Sequence, residues 1–275
     1  MLFRSFLELA WYKLLTTGKR FIPRKLKEAA ALKLSVLSLR SARARCRDVE
    51  DLSALTFSWR GFSWFETIRS LQYHEEQAPF FRLVAERSPR FALEIGTCSG
   101  GTLFMLMSAA SADACVISVD LPGGIHGGGY DEIHIPFFLQ AFPRKQQRLH
   151  LIRANSADAS TVARVREILN DHLLDYLFID ADHRYQAVLS DFLLYAPFVR
   201  RGGIIAFHDI VERASRPDVQ VPRLWSEIKD LAPSLEIIAK LEKPGPYNAG
   251  MGVFVDWQPE ALALCPELSN GLPRP

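Results

Sequence analysis

Residues 91–107 read FALEIGTCSGGTLFMLM. A short apolar run, 91–95, breaks at Gly96, turns through Gly100 and passes into apolar residues at helical spacing over 101–111. Outward from this stretch the same alternation repeats. Strand-type runs are predicted at 115–120, 149–153, 175–180, 203–208, 235–239 and 251–255, with helices at 158–170, 184–198 and 222–231. Runs that are apolar on both faces and alternate with helices predict a parallel sheet in a doubly wound α/β fold. The last two runs are joined through Lys243-Pro244-Gly245-Pro246 without a helical pattern, which predicts an antiparallel hairpin. Upstream the pattern is helical. Pro23 starts one helix, residues 28–47 set Ala and Leu among basic residues at helical spacing, residues 62–76 form a second amphipathic stretch, and a helix through 79–86 leads into the body.

In such folds ligands sit at the carboxyl ends of the strands. The first run exits through E-x-G-x-x-x-G, Glu94 to Gly100. Glycines there let the backbone turn sharply and approach a ligand closely. The pattern is not the G-x-G-x-x-G dinucleotide fingerprint, because Cys98 stands where the second glycine belongs. The second run ends at Asp120, whose carboxylate is suited to a ribose diol. After the third, Asn155-Ser156-Ala157-Asp158 reads either as an adenine edge or as the cap of the following helix. Residues 123–130, with five glycines and His126, read as a lid.

The fourth run leaves through Asp180-Ala181-Asp182-His183 and the fifth through His208-Asp209. Neighbouring parallel strands lie about 4.8 Å apart, so Asp180 and Asp209 are expected to share one cleft mouth. Two hard oxygen ligands suit Mg²⁺ or a similar divalent ion. Asp182 reads as either a helix N-cap or part of that group. Trp59, Trp64 and Tyr73 read as core or as apolar walls for a substrate, and His74, His126, His134, His150 and His172 show no clustering.

The stretches ALEIGTCSGGTL, ISVDLPGGIHGGGYDE, FIDADHRY and RRGGIIAFHDI together resemble the class I S-adenosylmethionine-dependent methyltransferases. The group they are most similar to contains cephalosporin-hydroxylase-like proteins and macrolide-sugar O-methyltransferases. The resemblance covers roughly residues 75–256. It implies a seven-stranded, mostly parallel, Rossmann-like sheet and S-adenosyl-L-methionine as cofactor. Glu94, Gly96 and Gly100 would line the cofactor's methionine part, Asp120 its ribose, and Ser156, Ala157 and Asp158 its adenine. It further implies a metal at Asp180, His208 and Asp209, and His183 as general base. Histidine at position 208 departs from the acidic or amide ligands of that group, and leaves Mn²⁺ and Fe²⁺ open beside Mg²⁺. The acceptor implied is a hydroxyl of a sugar or natural-product-like molecule.

Composition bounds the rest. The chain has 275 residues, 48% hydrophobic and 23% charged, with a formal charge of +2. That is ordinary globular composition and implies no nucleic-acid partner. The charge is uneven, since residues 1–47 hold twelve Lys and Arg against only Glu8 and Glu28. We read 1–74 as a basic, mostly helical N-terminal arm and 75–275 as the methyltransferase domain. The start, MLFRSFLELAWYKLL, reads as an amphipathic helix that packs on the body or a partner subunit, or lies at a membrane surface. Homo-oligomers fit the former. Four cysteines without C-x-x-C spacing suggest reduced thiols and a cytoplasmic location, membrane-peripheral if the arm binds lipid. Two other functions fit a similar sheet, namely a nicotinamide-dependent oxidoreductase and a non-catalytic cofactor-binding assembly module.

Overall fold

The protein is described from a computed structural model over residues 23–123, 129–240 and 249–264. The start at 1–15, the glycine-rich centre of the lid with His126, the Lys243–Pro246 connection and Cys265 lie outside the described residues.

Two helices come first, α1 (Arg24–Arg43) and α2 (Val49–Ser58), then α3 (His74–Arg87). Strand β1 (Phe91–Ile95) runs into α4 (Gly101–Ala109), and β2 (Cys115–Asp120) is followed by α5 (Ile135–Ala141). Next come β3 (Arg148–Arg153), α6 (Ala159–Leu169), β4 (Leu174–Ile179), α7 (Tyr185–Tyr195) and β5 (Val199–His208). The last elements are α8 (Val221–Ile228), β6 (Ser234–Ile237) and β7 (Met251–Phe254). They build a seven-stranded sheet in the order β3-β2-β1-β4-β5-β7-β6. The first five strands pair in parallel, and β7 pairs antiparallel with both β5 and β6. This is the doubly wound, Rossmann-like sheet with a C-terminal antiparallel pair that the sequence led us to expect. No helix among the described residues is long and apolar enough to cross a membrane.

Alternate side chains of each strand feed opposite faces. Ala92, Tyr176, Phe178, Ile204 and Ala206 enter the core under α1, α3, α4 and α5. Leu93, Leu177, Ile179, Ile205 and Phe207 enter the core under α6, α7 and α8. Both cores are continuous across the sheet, so the strands hold rigid positions and their exits are fixed relative to one another.

The N-terminal segment differs from expectation in two places. Helix α2 stands at 49–58, started by Asp48, whose side chain accepts the Asp51 amide at 2.8 Å. Residues 62–73 carry no regular helix, although Phe65 and Ile68 are buried. This stretch runs irregularly because it must thread past the glycine turn, with the Ser70 amide packed where Gly101 lacks a side chain. Helix α1 joins the main core through Ala31, Val36, Leu39 and Ala42. Arg40 and Arg43 donate to the carbonyls of Gln140 and Phe142 at the end of α5, a use of basic side chains at a helix C-terminus. Burial first, and nearby Arg144 and Arg40 next, lower the Arg43 pKa to about 10.

Candidate functional site

The strand order reverses between β1 and β4, and the carboxyl ends of the strands on either side open on one cleft. It has a volume of about 250 Å³ and is lined by Gln72, Gly96, Asp180, His183, His208 and Asp209, among others. A larger adjoining hollow of about 540 Å³ carries Trp64, Tyr130 and His134. Cys98 lines both.

Gly96 and Gly100 have positive φ, +93° and +84°. Their need for glycine comes from protein packing. A Cβ on Gly96 would lie 2.0 Å from the carbonyl oxygen of Asp180, and one on Gly100 would lie 3.0 Å from the Phe138 ring. The packing accounts for glycine at both positions whether or not a ligand comes close. Gly96 lets the exits of β1 and β4 touch, and so sets Asp180 beside the turn.

Asp120 clamps the same turn. Its Oδ2 accepts the amides of Thr97 at 2.9 Å and Cys98 at 2.8 Å, and its Oδ1 accepts Leu121 at 2.8 Å. Burial raises its pKa, and these amides together with that of Gly129 oppose the rise. Glu94 lies fully buried under the turn. Its Oε2 accepts the Thr97 hydroxyl at 3.1 Å, while Oε1 has no hydrogen-bond partner among the described residues. Burial pushes its pKa up to about 8. At the third exit Ala157 and Asp158 are exposed, and Ser156 is half-buried. The Ser156 carbonyl accepts the Tyr195 hydroxyl at 2.6 Å, and its side chain bonds buried Asp191. Asp158 stands at the N-cap of α6 without a side-chain cap bond.

At the reactive end Asp180, His183 and Asp209 offer one ligand atom each, all within 4.8 Å of one another. His183 Nε2 lies 2.8 Å from Asp209 Oδ2 and 3.6 Å from Asp180 Oδ1. His208 Nδ1 lies 3.4 Å from Asp180 Oδ1 and 3.9 Å from Asp209 Oδ2. Asp209 holds φ +64°, a strained setting that turns the residue straight after β5 back to the cleft. Arg213 pairs with its other oxygen, and Gln72 donates to Asp180 Oδ2 at 2.7 Å. Asp182 instead accepts the Arg184 amide at 2.9 Å, outside the cluster.

Burial works against the charge of each imidazole, but the carboxylates outweigh it. Asp180 and Asp209 raise His183 to about 10, and Asp180 and Glu76 do the same for His208. In turn, burial would raise the two aspartates, yet the histidines hold Asp180 below its usual range and Asp209 well below. Imidazoles and carboxylates thus hold one another's charge across the cleft. A divalent cation suits that donor set.

The structure brings Asp180, His183, His208 and Asp209 together, as expected, with Gly96 and Gly100 in the adjoining turn. It adds Gln72 and Glu76, which the sequence reading missed. Neither belongs to a motif, and nothing in the sequence sets them apart from surface polar residues. Trp59 is core, stacked on Phe137 at 5.6 Å.

A family model described as "Methyltransferase domain" matches residues 93–210. "Uncharacterized protein R132" of Acanthamoeba polyphaga mimivirus is 30% identical over 163 residues, 59% of this chain and 70% of that protein. "Uncharacterized protein y4gI" of Sinorhizobium fredii is 26% identical over 188 residues, 67% of this chain but 19% of that much longer protein. Among solved structures, the O-methyltransferase from Bacillus cereus in complex with SAH aligns with a TM-score of 0.47 at 17% identity, over 90% of this chain and 97% of that one. A likeness that distant carries no chemistry across.

Proposed function

We propose that this chain, whose residues 93–210 match a methyltransferase domain, is a class I S-adenosylmethionine-dependent methyltransferase that methylates a hydroxyl of a sugar or natural-product-like small molecule with the help of a divalent cation. The observation that carries this reading is the meeting of Asp180, His183 and Asp209 within 4.8 Å, in the cleft that also holds the glycine turn.

The residues present fit the cofactor. The unpartnered Oε1 of Glu94 is a buried acceptor beneath the turn, suited to the ammonium of the methionine part. Gly96 and Gly100 shape the floor. Asp120 would hold the ribose, a hydroxyl taking the place of the Leu121 amide on its Oδ1. Ser156, Ala157 and Asp158 border the adenine position. S-adenosylmethionine supplies a methyl group on a sulfonium.

They also fit a cation. Asp180 and Asp209 supply carboxylate oxygens, with an imidazole beside them. A bound cation lowers the pKa of a hydroxyl it touches. With Asp180 and Asp209 engaged by a cation, less of their negative charge would fall on His183, and its imidazole would be free to accept a proton. His183 then takes the acceptor's proton at Nε2 while the acceptor oxygen gains the methyl group and the carbon–sulfur bond breaks. Asp209 and Asp180 stabilise the resulting imidazolium. Positioned proton transfer of this kind contributes about 10²–10⁴-fold.

The test is transfer of labelled methyl from the cofactor to a panel of hydroxyl acceptors, with Mg²⁺ or Mn²⁺ and with chelator. Transfer should need the cation and fall at least about 100-fold in Asp180→Asn, while S-adenosylhomocysteine still binds. Transfer undiminished by both chelator and substitution contradicts the cation's part.

A further inference from the structure

Glu76 sits in the first turn of α3, before the matched domain begins, and it is fully buried. A carboxylate placed there is costly unless it has partners. Its Oε1 accepts the Gly250 amide at 3.0 Å, just ahead of β7. Its Oε2 faces His208 Nε2 at 3.6 Å. Among the described residues neither of these two atoms has a hydrogen-bond partner. They are complementary atoms sealed from water and turned to each other.

We propose that Glu76 is a positioning residue that holds the His208 ring with Nε2–H toward itself and Nδ1 toward Asp180 and Asp209, so that His208 joins the two aspartates as the imidazole ligand of the cation. This rests on the cation reading above. Anchoring the Gly250 amide needs one acceptor oxygen, which a glutamine would supply. Among the described residues the second oxygen faces the imidazole alone. With the Nε2 proton directed to Glu76, the Nδ1 lone pair points at Asp180 Oδ1, 3.4 Å away, and Asp209 Oδ2, 3.9 Å away. Acceptors facing acceptors need a cation or a second proton between them. A carboxylate behind a ligating histidine is a recurrent way to fix its ring and tautomer. The assignment leaves His183, the more exposed imidazole, to the acceptor's proton.

The test measures Mn²⁺ affinity of the full chain by electron paramagnetic resonance, without acceptor, for wild type, Glu76→Gln, Glu76→Leu and Asp180→Asn. Binding should be lost in Asp180→Asn, weakened about 10–100-fold in Glu76→Leu, and intermediate in Glu76→Gln, which keeps one acceptor for two donors. Wild-type affinity in Glu76→Leu alongside loss in Asp180→Asn overturns the role of Glu76 and leaves the cation reading standing. Wild-type affinity in Asp180→Asn overturns the cation reading, and this inference with it. Should Glu76→Leu fail to fold, long-range ¹⁵N–¹H spectra of the Mg²⁺-bound wild type decide the matter. A His208 ring carrying its proton on Nε2 supports the proposal, and a proton on Nδ1 refutes it.

Discussion

Two imidazoles and three carboxylates share one corner of the cleft, and their charges set its response to pH. His183 and His208 are raised from 6.5 to about 10, so the stability they give is full below pH 6.5 and disappears as pH climbs through 10. Glu94, raised from 4.5 to about 8, acts in the same direction. Asp209, held low by the histidines, acts oppositely, and its contribution is lost only as the solution becomes strongly acidic. The cation-free protein should therefore unfold at lower urea concentration at pH 9.5 than at pH 6.5. An unchanged midpoint would show that the cluster does not hold its protons. At this scale the sequence was informative where charge interrupts an apolar run. Asp180, His183, His208 and Asp209 follow strands that are otherwise hydrophobic, so they stand out. Glu76 and Gln72 do not, because a polar side chain in the first turn of a helix or in the irregular segment before it reads as surface until tertiary packing seals it.

Among elements, the strands were the most legible. β1 and β2 are buried along their whole length, which writes each of them as a short, mostly apolar run without helical spacing. Segment 62–73 was misread as helical because Trp64, Phe65, Ile68 and Leu71 fall at helical spacing. Its course is fixed instead by distant contacts, Ser70 against Gly101 and Gln72 on Asp180. Helix α2 went unforeseen although Asp48 and Asp51 mark its start, and short α5 was hidden by the glycine-rich loop before it. The contact between the exits of β1 and β4 belongs to this scale and can be tested there. Gly96→Ala places a Cβ 2.0 Å from the Asp180 carbonyl oxygen at φ +93°. Backbone strain alone should cost about 1–3 kcal/mol, and relief of the overlap should displace Asp180. We expect a lower urea midpoint together with weaker Mn²⁺ binding. A variant as stable as wild type would mean that the two exits are not held in contact.

Across the whole molecule, two cores grip the sheet from either side and the cleft opens where the strand order reverses. The part of the chain outside the methyltransferase match is built into this arrangement. α1 closes one core and caps α5, segment 62–73 lines the cleft, and α3 delivers Glu76 beneath His208. The exits of the apolar runs marked the paired aspartates, but the contribution from residues before 93 became visible only in three dimensions. The central claim is that a cation and the methyl donor meet between the exits of β1, β4 and β5. Its most direct test is anomalous diffraction from crystals grown with S-adenosylhomocysteine and Mn²⁺. The account predicts a manganese peak among the side chains of Asp180, His208 and Asp209, with the homocysteine sulfur beside the Gly96–Gly100 turn. Density for S-adenosylhomocysteine with no manganese signal among those side chains would contradict it.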